Sequence, residues 1–199
     1  MNLFAHAVLA AQNATHQAAG ILADRLKGVP GQEPFSLLPS AVQAGVIQHR
    51  AIDSFTDQHP LQEGMRGLFS PRSRRVAGIV LDLYGDQRLC AHWGRYNSRP
   101  KEQCREEAYS SLRSIGPSLP APAAKWAASI CRYDLLTACC RWEGVYETAL
   151  RLGARIGQQE AFLYAMRELA THREAIDKAY VQFLDDLFGN FRVKDPCSP

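Results

Sequence analysis

Between residues 158 and 188 the chain sets Phe162, Met166, Leu169, Ile176, Tyr180, Phe183, Leu184 and Leu187 mostly at three- and four-residue steps, a spacing that lines one face of an α-helix. A strand needs apolar residues at every second position, and no stretch of this chain keeps that alternation. The fold class this predicts is all-α. At 199 residues the chain is long enough for one domain with a sizeable core, so the reading is a single-domain helical bundle over 1–199, with 189–199 a flexible tail.

The same periodicity and the breakers divide the rest. Helices are predicted at 2–11 and 15–27, the second stopped by Gly28, followed by a proline-containing loop over 29–39. Ser40 is read as the cap of a helix running to Asp57, 61–69 as a linker with some helical character, and Ser70-Pro71 as the start of a helix over 72–96. A helix over 101–115, an interruption at GPSLPAP (116–122) and an aromatic stripe over 123–152 lead to the final helix. That stripe (Trp126, Tyr133, Trp142, Tyr146) reads as core.

Composition excludes several classes. The formal net charge is only +3, and the basic cluster Arg66, Arg72, Arg74 and Arg75 lacks the long Lys/Arg runs and interleaved aromatics of a nucleic-acid groove. It suits an acidic protein partner better. No apolar stretch approaches the roughly 20 residues of a membrane span, and MNLFAHAVLAA lacks the positive start of a secretory leader. The six cysteines show no CxxC spacing, and Cys139 and Cys140 are adjacent, so they are read as buried free thiols in a cytoplasmic protein.

Chemistry concentrates at 45–60, GVIQHRAIDSFTDQHP, where His49, Asp53 and Asp57 stand at successive four-residue steps. Such spacing also describes an ordinary solvated helix face. Two features favour a site: Ile52 interrupts the polar residues Arg50 and Asp53, and a second carboxylate pair of the same spacing, Asp82 and Asp86, follows. His6 and Asp24 stand among apolar neighbours on two further predicted helices, and a carboxylate drawn toward a core needs a partner. The set His6, Asp24, His49, Asp53, Asp57, Asp82 and Asp86 is what a hard divalent metal needs, Mn²⁺ or Mg²⁺ favoured over Zn²⁺ by the carboxylate excess. No serine or cysteine stands in a recognisable nucleophile turn.

NLFAH (2–6), GILADRLKG (20–28), HRAIDSFTDQHP (49–60), RRVAGIVLDLYGD followed by HW (74–93) and, more loosely, RWEGVYETALRLGARIG from Arg141 resemble the acyl carrier protein phosphodiesterases, relatives of the HD-domain phosphohydrolases. The resemblance implies an HD-domain-like fold and manganese-dependent removal of 4′-phosphopantetheine from the serine of an acidic carrier protein. It implies a catalytic set of Asp24, His49, Asp53, Asp86 and position 87, and metal ligation by His6, Asp24, His49, Asp53, Asp82 and Asp86. Arg50, Arg72, Arg74 and Arg75 are expected to bind substrate. The chain departs from the family pattern at Gly85, in place of an aromatic residue, and Gln87, in place of a histidine. A neutral glutamine cannot act as a base near neutral pH. Two other functions therefore stay open: a tailoring enzyme acting on the arm-bound acyl chain, and a non-catalytic carrier-binding protein.

Overall fold

The apolar periodicity is realised as twelve α-helices, with no strand, among the described residues 3–10 and 13–191 of this computed structural model. They are α1 (Leu3–Leu9), α2 (Ala14–Leu22), α3 (Ser40–Gln58), α4 (Pro60–Gly67), α5 (Arg74–Ala91), α6 (Trp93–Tyr96), α7 (Lys101–Ile115), α8 (Ala121–Arg132), α9 (Leu135–Ala138), α10 (Trp142–Arg155), α11 (Gln159–Thr171) and α12 (Arg173–Phe191). Short 3₁₀ turns occupy Ala23–Arg25, Phe35–Leu37 and Gly116–Ser118. The hub is α5, which packs against α1, α4, α10, α11 and α12. It buries Val76, Ala77, Val80, Leu81, Tyr84 and Leu89, more of its circumference than an amphipathic surface helix would.

The helix over 101–115 stands where the periodicity put it; several other boundaries move. The final helix is two, broken at His172, where the six positions between Leu169 and Ile176 carry no large apolar residue. The 123–152 stripe becomes α8, α9 and α10. Residues 61–69 hold a true helix, α4, started by Pro60 and capped by His59 Nδ1, which accepts from Leu61 N–H. Ser70-Pro71 lies in a turn before α5, which starts at Arg74, and Ser40 is the first residue of α3 without capping it through its side chain. The second helix ends at Leu22 and tightens into a 3₁₀ turn that carries Asp24. Gly189 to Phe191, read as tail, are helical. Asn2, Ala11 and 192–199, with Cys197, lie outside the described residues.

The free-thiol reading is corrected for one pair. Cys90 on α5 and Cys140, just past α9, form a disulfide with their Cα atoms 5.4 Å apart; Cys104, Cys131 and Cys139 are free. No described helix is long and apolar enough to cross a membrane.

Two packing features place the site. At seven residues α1 is too short to be stable alone, so tertiary contacts hold it. Phe4, fully buried, stacks on Trp93 at 5.4 Å between centroids, and the N–H groups of Phe4 and Ala5 both donate to the buried Asp86 carboxylate, each at 2.9 Å. The second feature is the crossing of α2 and α3 at Gly45. A Cβ there would stand 2.6 Å from the His16 carbonyl oxygen and 2.8 Å from the Ala19 Cβ. Gly45→Ala is therefore expected to push the helices apart and cost about 1–3 kcal/mol in urea unfolding. An unchanged midpoint would show that the crossing tolerates a methyl group.

Candidate metal centre

His6 on α1 and His49 on α3 stack with their ring centroids 3.9 Å apart. Asp53, one turn beyond His49, spans both rings: Oδ1 lies 3.1 Å from His6 Nε2, and Oδ2 lies 2.9 Å from His49 Nε2. Asp24 brings its Oδ1 to 3.4 Å from the same His49 nitrogen. Ligand atoms of His6, His49 and Asp53 all lie within 4.8 Å of one another, close enough to share one ion.

The orientation of His49 is set from behind. Its Nδ1 lies 2.8 Å from the Gly20 carbonyl oxygen, and since a carbonyl only accepts, Nδ1 carries the hydrogen. Nε2 is thereby left to face the carboxylates. It is buried and has two carboxylate oxygens within reach, yet neither is aligned for a hydrogen bond. His6 Nδ1 is also buried without a partner among the described residues. A buried imidazole nitrogen beside carboxylates, with its other nitrogen tied to a carbonyl, has the arrangement of a metal-ligating histidine. The residues fit a divalent cation held by His6, His49 and Asp53, with Asp24 at the exposed edge.

The charges agree with this. Burial would lower the His49 pKa, but the neighbouring Asp24 and Asp53 carboxylates outweigh it and raise it to about 9. Burial lowers His6 to about 4, so its ring is neutral near pH 7. Burial alone would raise Asp53, yet its close contacts with His49 and His6 hold it far below the usual carboxylate range; Asp24 is lowered chiefly by its contact with His49. In the metal-free chain His49 Nε2 thus carries a proton between two ionised carboxylates. That pairing stabilises the metal-free fold fully below the ordinary histidine pKa of 6.5, and the contribution is lost as pH rises through about 9. An arriving metal must displace this one proton, since His6, Asp24 and Asp53 have already lost theirs. Mn²⁺ affinity is therefore expected to rise roughly tenfold per pH unit between about 6.5 and 9, one proton being released per ion, as titration calorimetry in buffers of different ionisation enthalpy would read. A pH-independent affinity would place the ion elsewhere.

Other expected site residues are placed differently. Asp57 is exposed and pairs with Arg66, whose Nη1 is 3.7 Å away. At 3.6 residues per turn each four-residue step advances about 40° beyond a full turn, so by the second step the side chain has left the His49 face. Asp86 has both oxygens on the Phe4 and Ala5 N–H groups, and burial pushes its pKa up to about 6. It is not in the group of ligand atoms that converge; it holds the helix that presents His6. Asp82 is half-buried and raised, chiefly by burial, with the Asp53 charge adding to the shift. Gln87 accepts from Arg88 Nε at 2.8 Å, and Arg88 in turn pairs with Asp177 at 2.8 Å, so its hydrogen bond leads toward α12.

The arginines are mostly engaged within the fold. Arg50 donates to the Gly28 carbonyl at 2.9 Å and lies over the Phe35 ring, pinning the loop after Asp24. Arg72 pairs with Glu160 and stacks on Tyr164, while Arg74 donates to the Phe69 carbonyl. Arg75 is exposed and enters no ion pair among the described residues. Sequence reasoning missed the Gly20 carbonyl, because a backbone acceptor leaves no mark in residue type.

The family model for acyl carrier protein phosphodiesterase matches residues 1–187, and the chain belongs to that family. An acyl carrier protein phosphodiesterase of Enterobacter sp. (strain 638) is 27% identical over 184 residues, covering 92% of this chain and 93% of that protein. Proteins of the same description from Serratia proteamaculans (strain 568) and Yersinia pestis are each 39% identical over 93 residues, 47% of this chain and 46% of theirs. No solved structure matches.

Proposed function

We propose that this protein is a divalent-metal-dependent phosphoric diester hydrolase that removes 4′-phosphopantetheine from the serine of an acidic holo acyl carrier protein. The observation that carries the reading is the buried His49 Nε2, turned by the Gly20 carbonyl toward Asp53 and Asp24 with His6 stacked alongside. His6, His49 and Asp53 would hold the ion. The convergent set is richer in imidazole than the sequence suggested, so Mn²⁺ is a better fit than Mg²⁺, and Zn²⁺ is the competitor to test. When bound, the metal would polarise a phosphoryl oxygen and lower the pKa of water.

In the reaction a water oxygen gives up a proton and forms a bond to phosphorus as the bond from phosphorus to the serine oxygen breaks, and the serine oxygen takes up a proton in exchange. Asp24, low in pKa and exposed, stays ionised at the mouth and orients the water. Asp82, raised by burial, is the neighbouring carboxyl better able to hold the proton that serine needs. The acidic carrier would meet Arg75 and other exposed basic residues in a salt-dependent encounter.

Gly85 and Gln87 favour a second reading, in which the carrier is recognised and its cargo altered while the arm stays attached. A gel-shift assay of holo to apo conversion, with Mn²⁺ and with chelator, for the natural chain and Gln87→His separates the two. Metal-dependent conversion by the natural chain supports hydrolysis. Conversion by Gln87→His alone would move the natural protein to the second reading, and carrier binding with no conversion by either chain would indicate a non-catalytic binder.

A further inference from the structure

Beside the metal centre lies a cleft of about 580 Å³ that shares only Asp24 with the site above. Asp24 and Leu3, one from the cluster and one from the helix of His6, form its near end. Leu83, Trp126, Leu135, Val145 and Leu152 make an apolar lining contributed by α5, α8, α9 and α10. Three guanidinium groups, Arg25, Arg151 and Arg155, line it too, against the single carboxylate of Asp24. Arg25 is spread over the Trp126 ring at 5.5 Å, Arg151 is paired with Glu147 at 3.1 Å, and Arg155 is exposed with no ion pair among the described residues.

This combination narrows the occupant. A nucleotide or peptide would need several hydrogen-bonding partners, whereas the polar lining beyond the charged residues is limited to Tyr133, the Thr148 hydroxyl and the Cys139 thiol. That thiol is no nucleophile, since burial and then Asp86 push its pKa well above the ordinary value. Apolar walls with an excess of cations, ending at a centre suited to phosphate, match a ligand that is phosphorylated at one end and carries an aliphatic chain at the other.

We propose that this cleft seats the acyl-loaded pantetheine arm, so that the enzyme prefers carriers bearing an acyl thioester to the bare holo form. The assignment rests on the arm-release reading above and adds to it the class of substrate. Each methylene buried in the cleft should raise kcat/KM about fourfold until the finite volume is filled, after which longer chains lose ground.

The test is kcat/KM with Mn²⁺ for the holo carrier and for a series of acyl carriers from two to twelve carbons. Alongside it, S-acyl phosphopantetheines of the same lengths are titrated into the metal-free full chain and followed by tryptophan fluorescence. Expected are a rise with chain length in both assays, a flat series for Leu152→Trp, and binding about tenfold weaker for Arg155→Glu, an exposed position that should not disturb folding. If the holo carrier is hydrolysed but neither assay depends on chain length, the cleft assignment is overturned and the arm-release reading stands. If no carrier is hydrolysed, that reading fails, and the fluorescence series decides the cleft by itself: length-dependent binding upholds it, and its absence overturns it.

Discussion

Asp53→Ala is expected to abolish tight Mn²⁺ binding and lower arm release by on the order of 10³-fold or more, about 4 kcal/mol of transition-state stabilisation, while the chain stays folded. Among the described residues Asp53 is the one carboxylate within 3.1 Å of both imidazoles, so its loss leaves two histidines without the group that joins them. Its side chain is 35% exposed, and truncating it opens no cavity in the core. Asp53→Asn should behave almost as badly, since an amide offers one neutral oxygen where the carboxylate offers two charged ones. Metal content and turnover should fall together. A variant that keeps either within about threefold of the natural chain would remove Asp53 from the centre.

The largest expected loss of stability belongs to Asp86→Ala, at about 3 kcal/mol in urea unfolding. Two buried N–H groups, those of Phe4 and Ala5, would lose a charged acceptor, and hydrogen bonds to charged groups contribute about 1.5–3 kcal/mol each. The damage should not stay local. With its first turn released, α1 loses the anchor at the end next to His6, while the Gln17 and Gln48 side chains still hold the Ala7 and Leu9 carbonyls, so Mn²⁺ affinity should fall about 10–100-fold although Asp86 is not in the converging group. Asp86→Asn keeps one acceptor and should fall between the two. If Asp86→Ala unfolded at the same urea concentration, or kept full metal affinity, the carboxylate would not be what holds the helix.

How these residues read in the sequence follows from where their partners lie. His49 and Asp53 were legible because one helical turn brings them together regardless of the rest of the fold. His6 and Asp24 could be proposed from polar groups set among apolar neighbours, though only packing shows that both come up against the His49 ring. Asp82 and Asp86 share a helix face in the pattern, but Asp86 answers to N–H groups more than 80 positions away. No local spacing reveals such a partner. Arg50, Arg72 and Arg74 look like a phosphate-binding set in sequence, and in the fold they are largely spent on carbonyl and carboxylate oxygens and on aromatic rings. The helical class was plain from periodicity alone. The break at His172 was not, because α11 and α12 bury their apolar residues in the same core, and the gap between Leu169 and Ile176 also reads as an exposed stretch of one continuous helix. The pairing of Cys90 with Cys140 was hidden because 50 residues separate them, and only tertiary packing, with α10 against α5, brings them close.

The central claim is that His6, His49 and Asp53 hold the ion that drives release of the arm. Its most direct test is intact-mass spectrometry of a holo carrier protein incubated with the metal-stripped chain, the Mn²⁺-reloaded chain and reloaded Asp53→Ala. The account expects the carrier to lose the mass of phosphopantetheine only with the reloaded natural chain. Arm release by the stripped chain, or by Asp53→Ala at the natural rate, would contradict it.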